Sequence, residues 1–432
     1  MDDLQKTLIL KKHPLAWAFS LFALIWVFRI ILVSYFGVDV PYFDQWDMEG
    51  EKLYIPYLEG HFSFWDIFKP HNEHPIAMTR IYLLTLFNLN GGVWDSVLSM
   101  KVQAGFLAAT GLFFIYDYIR KFERPSPLSV FILFLVFFLP IGYDSLLWGI
   151  EVHWYFLTLF SMLSLQMAAY SEAPKKNFFF AYLLSILSFL SIASGFITTF
   201  VVGIMEGYRF VKNRDRYLHL IFSVVCLVTT FLLYKTIPKV AVSEPLALES
   251  WSRFPYLFLK TIGWPDMTGI FFYWLPSAYV IYKAFRQRLD GSAILFPLGI
   301  ICWLLIQGAA VTVKRGGFVI RYADMFMMII PVTIYLVDLW GGPRLQKWLK
   351  PLIVVLLLTI TFHYTPGDIA TEYRERKIYK QTIVEAVFAE KITPGEGLVR
   401  LKKGPLPHVD AELVDRVLKH PKIKEILPQD YK

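Results

Sequence analysis

Residues 15–36 read LAWAFSLFALIWVFRIILVSYF, and a polar gap that contains YFDQWD at residues 42–47 follows them. A transmembrane helix needs roughly 20 mainly apolar residues, so the first stretch has the length of a membrane span. It lacks the small-residue cleavage site of a secretory signal, and we expect it to stay in place. Its central Arg29 should face the protein interior or a phosphate, because an unpaired charge within the membrane is costly.

The rest of the chain has the composition of a polytopic membrane protein. Hydrophobic residues make up 56% of the 432 residues, charged residues make up 18%, and the mean hydropathy is +0.47. Segments of spanning length predict an all-α fold with about 11 transmembrane helices. The predicted spans cover residues 15–36, 94–119, 126–142, 150–170, 178–193, 196–211, 217–234, 267–285, 292–312, 323–340 and 351–364.

Basic residues recur in every second connection between these segments. They include Lys11-Lys12, Arg120-Lys121, Lys175-Lys176, Lys212 with Arg214 and Arg216, Arg286 with Arg288, and Arg344 with Lys347 and Lys350. The positive-inside rule assigns these connections and the N-terminus to the cytoplasm. Residues 37–93, which we call the first outward segment, then lie outside. We predict a membrane domain over residues 1–364 and a small extramembrane, periplasmic segment over 365–432.

The first outward segment holds a cluster of titratable residues. Residues 49–58 and 75–89 have the amphipathic pattern of helices that lie along a membrane surface. Such helices would hold Asp44 at the boundary of water and lipid. There its pKa should rise, which makes the carboxylate a better proton acceptor. The alternative is that Asp44 is a solvated acid that caps the helix after it.

His71, Glu73 and His74 follow in the same segment. Imidazole and carboxylate are both metal ligands, so a divalent metal is one interpretation. The spacing differs from the H-E-x-x-H and H-x-x-E-H patterns of zinc helices. We therefore favour hydrogen bonds to a polar substrate, with Glu73 orienting an imidazole.

One outward loop breaks the charge rule. Lys314-Arg315-Gly316-Gly317 and Arg321 place three cations on the side where short loops are poor in them. Glycines let backbone amides approach a ligand, and an Arg fork matches phosphate oxygens. These residues, Lys314 to Arg321, form the basic loop, which we interpret as a phosphate site. The alternatives are contact with ordinary lipid headgroups and a topology shifted by one span.

Together these features resemble the GT-C superfamily of integral membrane glycosyltransferases. Tyr42-Phe43-Asp44-Gln45-Trp46 stands where that superfamily keeps its acidic catalytic motif, and its pairing with Asn72-Glu73-His74 is similar to a group of bacterial members. This chain has Asp-Gln where better-known members have Asp-Asp or Asp-Glu. The second carboxylate would then come from Asp47 or Glu73.

The resemblance implies sugar transfer from a polyprenyl-phosphate donor, such as undecaprenyl phosphate, on the outer face of a bacterial inner membrane. The acceptor would be a glycan such as the O-antigen of lipopolysaccharide, or a lipid. Asp44 would be the base of an inverting reaction, Glu73 the second catalytic residue, and the cations of the basic loop would hold the phosphate. The expected substrate-binding residues are Gln45, Trp46, Asp47, His71, His74, Arg80, Glu151, His153, Lys314, Arg315 and Arg321.

Two other functions fit the same composition. A polymerase or ligase would transfer a whole lipid-linked glycan, and it would carry its catalytic groups in a large late outward loop. A transporter or flippase would favour inverted repeats and broken helices at the membrane midplane. No phosphate-binding glycine motif of nucleotide enzymes follows a predicted strand. We expect no nucleic-acid partner. The sequence identifies no certain cofactor, with a divalent metal as the less favoured alternative, and it does not predict whether a metal is needed or the oligomeric state.

Overall fold

The computed structural model describes residues 10–170, 174–212, 216–240, 247–264, 267–287, 291–383 and 410–428. Arg214, Arg288 and residues 384–409 and 429–432 of the predicted C-terminal segment lie outside them. The α-helices of six or more residues are α1 (Pro14–Phe36), α2 (Ala77–Leu89), α3 (Ser96–Lys121), α4 (Pro127–Phe138), α5 (Val152–Ala169), α6 (Pro174–Ser191), α7 (Phe196–Lys212), α8 (Tyr217–Thr236), α9 (Phe254–Ile262), α10 (Leu275–Arg286), α11 (Gly291–Arg315), α12 (Ile329–Leu336), α13 (Gly342–Ile383), α14 (Ala411–Lys419) and α15 (Pro421–Ile426). Shorter helical turns are Ile55–Leu58, Phe64–Phe68, Tyr143–Leu146, Gly149–Glu151, Ala193–Gly195, Trp251–Arg253, Ile320–Tyr322 and Ala323–Phe326, and π-helical segments are Gln45–Tyr54, Ile270–Trp274 and Val337–Gly341.

The protein is an all-α, multi-pass membrane protein. Helices lie over each segment that the sequence predicts to span the membrane. Among the described residues, five helical stretches are long and apolar enough to cross a membrane: Pro14–Phe36, Ser96–Lys121, Tyr217–Thr236, Ala293–Arg315 and Ile320–Gln381. The other helices over predicted spans are shorter or less apolar, so the number of about 11 spans stays a prediction.

Arg29 of α1 faces the interior, as expected for a charge within a span. Its side chain is fully buried, and its Nε and Nη2 donate to the carbonyl oxygens of Phe137 and Leu139 at 2.9 and 3.1 Å. Asp324 lies 4.0 Å away. The end of α4 and the acid of a neighbouring turn thus compensate the cation within the helical bundle.

One hydrophobic cluster joins distant parts of the chain. The first outward segment contributes Trp46, Met48, Leu53, Tyr54, Leu83 and Phe87, and the C-terminal helices contribute Leu413, Val414, Val417, Leu418, Ile423 and Ile426. A short segment such as the C-terminal one cannot bury enough surface by itself, so it completes a shared core. Helix α13 runs unbroken across residue 365, with Pro366 inside it. The boundary at residues 364 and 365 therefore stays a prediction.

Gly50 lies in this shared core, in the π-helical segment Gln45–Tyr54, which we call the first-loop helix. A Cβ atom on Gly50 would lie 2.8 Å from Cγ1 of Val417 and 3.1 Å from the Trp94 ring. At the surface, Nη2 of Arg416 lies 2.6 Å from Oε1 of Glu51. Helix α14 therefore lies directly against the helix that follows Asp44.

Candidate active site

The backbone of the acidic turn, residues 42–47, is held in a strained conformation by aromatic packing. Phe43 has a φ of +43°, a left-handed conformation that costs a bulky residue of order 1–3 kcal/mol. Its ring lies 4.6 Å from the Tyr42 ring and 5.6 Å from the Trp148 ring, measured between centroids. The Trp148 indole also donates to the Tyr42 carbonyl at 3.1 Å. The packing fixes the direction in which the next residue, Asp44, projects.

Gln45 and Trp46 lie in the core beneath the turn, and both are fully buried. The Gln45 amide accepts from the backbone N–H of Tyr42 at 3.2 Å and donates to Oε1 of Glu49 at 2.9 Å. The Trp94 indole donates to the other oxygen of Glu49 at 2.7 Å. These contacts tie the turn to the residues just before α3. Direct substrate contact by Gln45 and Trp46 stays a prediction, and their surroundings are those of packing residues.

Glu49 is a buried acid that the sequence does not single out. Burial raises the pKa of its carboxyl from 4.5 to about 7, against the hydrogen bonds from Gln45 and Trp94, which favour the charged form. A sequence signal exists, since Gln45 and Glu49 are four residues apart and share one helical face. Its partner Trp94 carries no such signal, because it follows at a distance of 45 residues.

The histidine turn, residues 71–74, packs against the acidic turn. His71 and His74 exchange two backbone hydrogen bonds of 2.9 Å, which close a tight turn over Asn72 and Glu73. The buried His71 ring lies between two carboxylates, 3.8 Å from Asp44 and 3.7 Å from Asp47. Lys52 holds Asp47 at 2.8 Å. The structure thus brings together two motifs that the sequence separates by more than 20 residues.

Glu73 joins the first outward segment to the basic loop. Nη2 of Arg315 lies 2.8 Å from Oε1 of Glu73 and 3.5 Å from Nε2 of His74. Removal from solvent, aided by the positive charge of Arg315, lowers the pKa of His74 to about 4. At neutral pH His74 is therefore an uncharged imidazole that can exchange hydrogen bonds with a polar ligand.

Arg321, the other arginine of the basic loop, lies among acids from a second outward connection. Its Nε is 3.4 Å from Asp144, its Nη1 is 3.4 Å from Glu151, and its guanidinium carbon lies 4.9 Å from the Trp148 ring centroid. His153 is 3.6 Å from Glu151. Trp148 therefore touches both Phe43 and Arg321, and it connects the acidic turn with the basic loop.

Lys314, the third cation of the loop, is exposed and makes no ion pair with any residue in the described ranges. Gly316 and Gly317 have φ values of +64° and +133°, which only glycine adopts readily. The loop therefore combines one open cation with two arginines that already contact carboxylates. A phosphate would have to share those arginines with Glu73 and Glu151.

Arg80 has a different role in the structure. Its buried guanidinium donates to the backbone carbonyls of Asp66 and Ile67 at 2.7 and 3.3 Å, and to that of Lys69. Burial lowers its pKa from the ordinary value. These contacts support the turn before the histidines, and substrate binding by Arg80 stays a prediction.

Arg376 of α13 is a site neighbour that sequence reasoning missed. It is buried, its guanidinium carbon lies 4.4 Å from the Tyr42 ring centroid, and it donates to the Leu147 carbonyl and to Glu372. The Glu372 and Arg376 pair is visible in the sequence as an i,i+4 spacing on a helix. Its contact with the acidic turn is not. No group of three or more His, Cys, Asp or Glu in the described ranges is arranged to hold a metal ion.

Comparison with known proteins gives one informative match. No protein-family model and no curated protein matches the sequence. Among solved structures, the chain is similar to the archaeal oligosaccharyltransferase AglB from Archaeoglobus fulgidus in complex with an inhibitory peptide and a dolichol-phosphate, with a TM-score of 0.50 and 14% identity. The match covers 92% of this chain and 60% of AglB, so the chain spans about three fifths of that protein. At this identity the likeness concerns the fold alone, and the predicted resemblance to GT-C membrane glycosyltransferases is confirmed at the level of the fold.

Proposed function

We propose that the protein is a GT-C type glycosyltransferase that moves a sugar from a polyprenyl-phosphate donor to a cell-envelope glycan such as O-antigen. Two observations support glycosyl transfer in general: the fold similarity to an oligosaccharyltransferase, and the meeting of the acidic turn, the histidine turn and the basic loop. The outer face of a bacterial inner membrane is the expected location, and it rests on the positions of the basic residues.

The observation that carries the proposal is the exposure of Asp44. A catalytic base must be reached by the acceptor hydroxyl. The Asp44 side chain is 49% exposed, whereas those of Asp47, Glu73, Asp144 and Glu151 are 17%, 19%, 15% and 3% exposed. Asp44 is therefore the carboxylate of this cluster that an acceptor reaches most readily.

In the proposed reaction Asp44 takes the proton of the acceptor hydroxyl as its oxygen attacks the anomeric carbon. The bond to the lipid phosphate breaks on the opposite side, so the configuration inverts. The phosphate keeps the bonding electrons, and its charge is offset by Lys314, Arg315 and Arg321. Glu73 then acts through Arg315, by orienting the guanidinium toward the phosphate. Neutral His74 donates or accepts a hydrogen bond with the sugar.

The proposal is tested with purified protein in nanodiscs, a panel of undecaprenyl-phosphate sugars labelled in the sugar, and a cell-envelope glycan acceptor. Asp44→Asn keeps the size of the side chain but cannot accept the proton. We expect transfer to fall by about 100-fold or more, with donor binding preserved. Glu59→Gln is the matched control, since Glu59 is 40% exposed in the same outward segment and contacts His420. Transfer by Asp44→Asn at the level of this control would reject Asp44 as the base.

The phosphate site is tested separately with Arg321→Ala. This variant should raise the donor concentration needed for half-maximal rate, while the acceptor dependence stays unchanged. An unchanged donor dependence would contradict phosphate binding by this residue.

Transfer of a whole lipid-linked glycan is the second candidate, and the oligosaccharyltransferase fold favours it. The two functions differ in the product. Single-sugar transfer adds one sugar mass to the acceptor, whereas whole-glycan transfer needs a lipid-linked oligosaccharide and adds its full mass. Movement of labelled lipid across the bilayer without any transfer would instead support a flippase.

A further inference from the structure

The first outward segment displays three aromatic side chains that the proposed reaction does not use. They belong to the aromatic turn, residues 64–68, and Phe64, Trp65 and Phe68 are 65%, 74% and 40% exposed. Their ring centroids lie 5.5 to 6.3 Å apart, so the rings form one cluster. A cluster of large exposed apolar groups marks an interaction surface.

Part of the polar backbone of this turn is satisfied from within the protein. The Asp66 carboxylate accepts from the backbone N–H and the hydroxyl of Ser63 at 2.7 and 2.8 Å. Buried Arg80 donates to the carbonyls of Asp66, Ile67 and Lys69. A turn in water needs no such support, because water satisfies exposed carbonyls. In lipid every backbone polar group must find a partner in the protein.

The charges beside the turn suit the surface of a bilayer. Lys69 is 72% exposed and lies 2.5 Å from Asp66, which compensates the only acid of the turn. Trp and Phe are typical of a segment at the membrane interface, and from there the long side chain of Lys69 reaches the headgroups. Helix α2, which carries Arg80, also exposes Ile81 and Leu89.

We propose that the aromatic turn inserts into the outer bilayer leaflet and anchors the first outward segment there, with Lys69 at the anionic headgroups. The hydrogen bonds from Arg80 hold the backbone of the aromatic turn in place. The histidine turn begins only two residues after Lys69. Anchoring at this point holds the candidate site at the membrane surface. A carbohydrate that stacks on the rings is the competing occupant, and the experiment distinguishes the two.

The test places a fluorophore on the turn of the full chain. In a variant with Cys226→Ala and Cys302→Ser, Trp65→Cys is labelled with a nitrobenzoxadiazole dye and reconstituted into nanodiscs of phosphatidylethanolamine and phosphatidylglycerol. Glu425→Cys is the control, because Glu425 is 66% exposed on the outward C-terminal helix α15. We expect spin-labelled lipid to quench the dye at position 65 and iodide to quench it at position 425. Iodide quenching at both positions would overturn the proposal.

A second measurement uses the unaltered chain and needs no labelled variant. Nanodiscs that contain a photoreactive phosphatidylglycerol are irradiated, and the crosslinked peptides are identified by mass spectrometry. We expect lipid adducts within residues 62–69 and none on α15. Absence of adducts from residues 62–69, or their loss when a soluble cell-envelope glycan is added, would overturn the proposal in favour of water or carbohydrate. Both measurements are independent of sugar transfer.

Discussion

Buried Glu49 should make the stability of the protein depend on pH in a way that one substitution removes. The carboxyl pKa rises from 4.5 to about 7 on folding, because the side chain leaves water. Between these two values the folded protein binds a proton that the unfolded chain does not. The contribution of Glu49 to the free energy of unfolding is therefore largest below about pH 4.5. It falls as pH rises to about 7, and it stays constant at higher pH.

The size of the effect follows from the shift of the pKa. A change of about 2.5 pKa units corresponds to about 3 kcal/mol of unfolding free energy. For a chain of 432 residues the unfolding entropy is roughly 0.9 kcal/mol/K, so the expected change in melting temperature is about 3 to 4 °C. His74 acts in the opposite direction, because its lowered pKa removes stability as pH falls below 6.5. The comparison must therefore be made between two proteins that both keep His74.

Glu49→Gln is the suitable variant, since it cannot titrate and has nearly the same volume. Its amide faces two donors, from Gln45 and Trp94, and it can accept from only one in good geometry. The protonated carboxyl of the wild type has the same limit, and the amide itself does not change with pH. Melting curves from intrinsic tryptophan fluorescence, recorded in one detergent from about pH 5 to about pH 8, should show that the gap in melting temperature, wild type minus variant, falls by about 3 °C as pH rises. A gap that stays constant across this range would refute the argument.

Three further predictions concern the packing around the site. A double-mutant cycle of Glu73→Gln and Arg315→Gln, measured by chemical denaturation, should give a coupling energy of about 1 kcal/mol, because the pair at 2.8 Å is partly shielded from water. If the effects of the two single substitutions simply add, this ion pair is contradicted. Asn72 has a φ of +50°, so Asn72→Gly should leave the stability of the protein unchanged or raise it, whereas Asn72→Val should lower it by about 1–2 kcal/mol. Equal melting temperatures for the two variants would contradict the strain. Gly50→Ala should lower the melting temperature by overpacking against Val417, and adding Val417→Ala to this variant should restore part of the loss. If the double variant shows no restoration, the direct contact is contradicted.

Much of the architecture could be predicted from the sequence. Apolar runs of fixed length locate membrane helices because the bilayer sets that length, and helices lie over each predicted segment. Arg29 was expected in the interior and is buried there. The helices of the first outward segment also occur near their predicted positions, at Gln45–Tyr54 and Ala77–Leu89. Local periodicity suffices for such elements.

The pairing of charges across the site could not be predicted in the same way. The basic loop was interpreted as a set of three cations available to a phosphate, whereas Arg315 lies beside Glu73 and Arg321 beside Asp144 and Glu151. These partners are about 170 to 240 residues away in sequence, and no periodic pattern reports contacts of that range. For the same reason the sequence does not predict the contacts of Trp94, Trp148 and Arg376 with the site. Each is a side chain whose role depends on which distant helix lies next to it.

The positive φ values of two residues, Phe43 and Asn72, link this packing to the candidate chemistry. Phe43 directly precedes Asp44, the proposed base, and Asn72 directly precedes Glu73, which positions Arg315, so each of these carboxylates follows a residue with a left-handed backbone. Such strain persists only where the surroundings outweigh it. At Phe43 the surroundings are the Trp148 ring, on a connection between spans, and the Gln45 and Glu49 network, which the C-terminal helices cover. The direction of Asp44 is therefore set by residues from three separate parts of the chain. This explains why the five-residue motif from Tyr42 to Trp46 is by itself a weak sign of such a site.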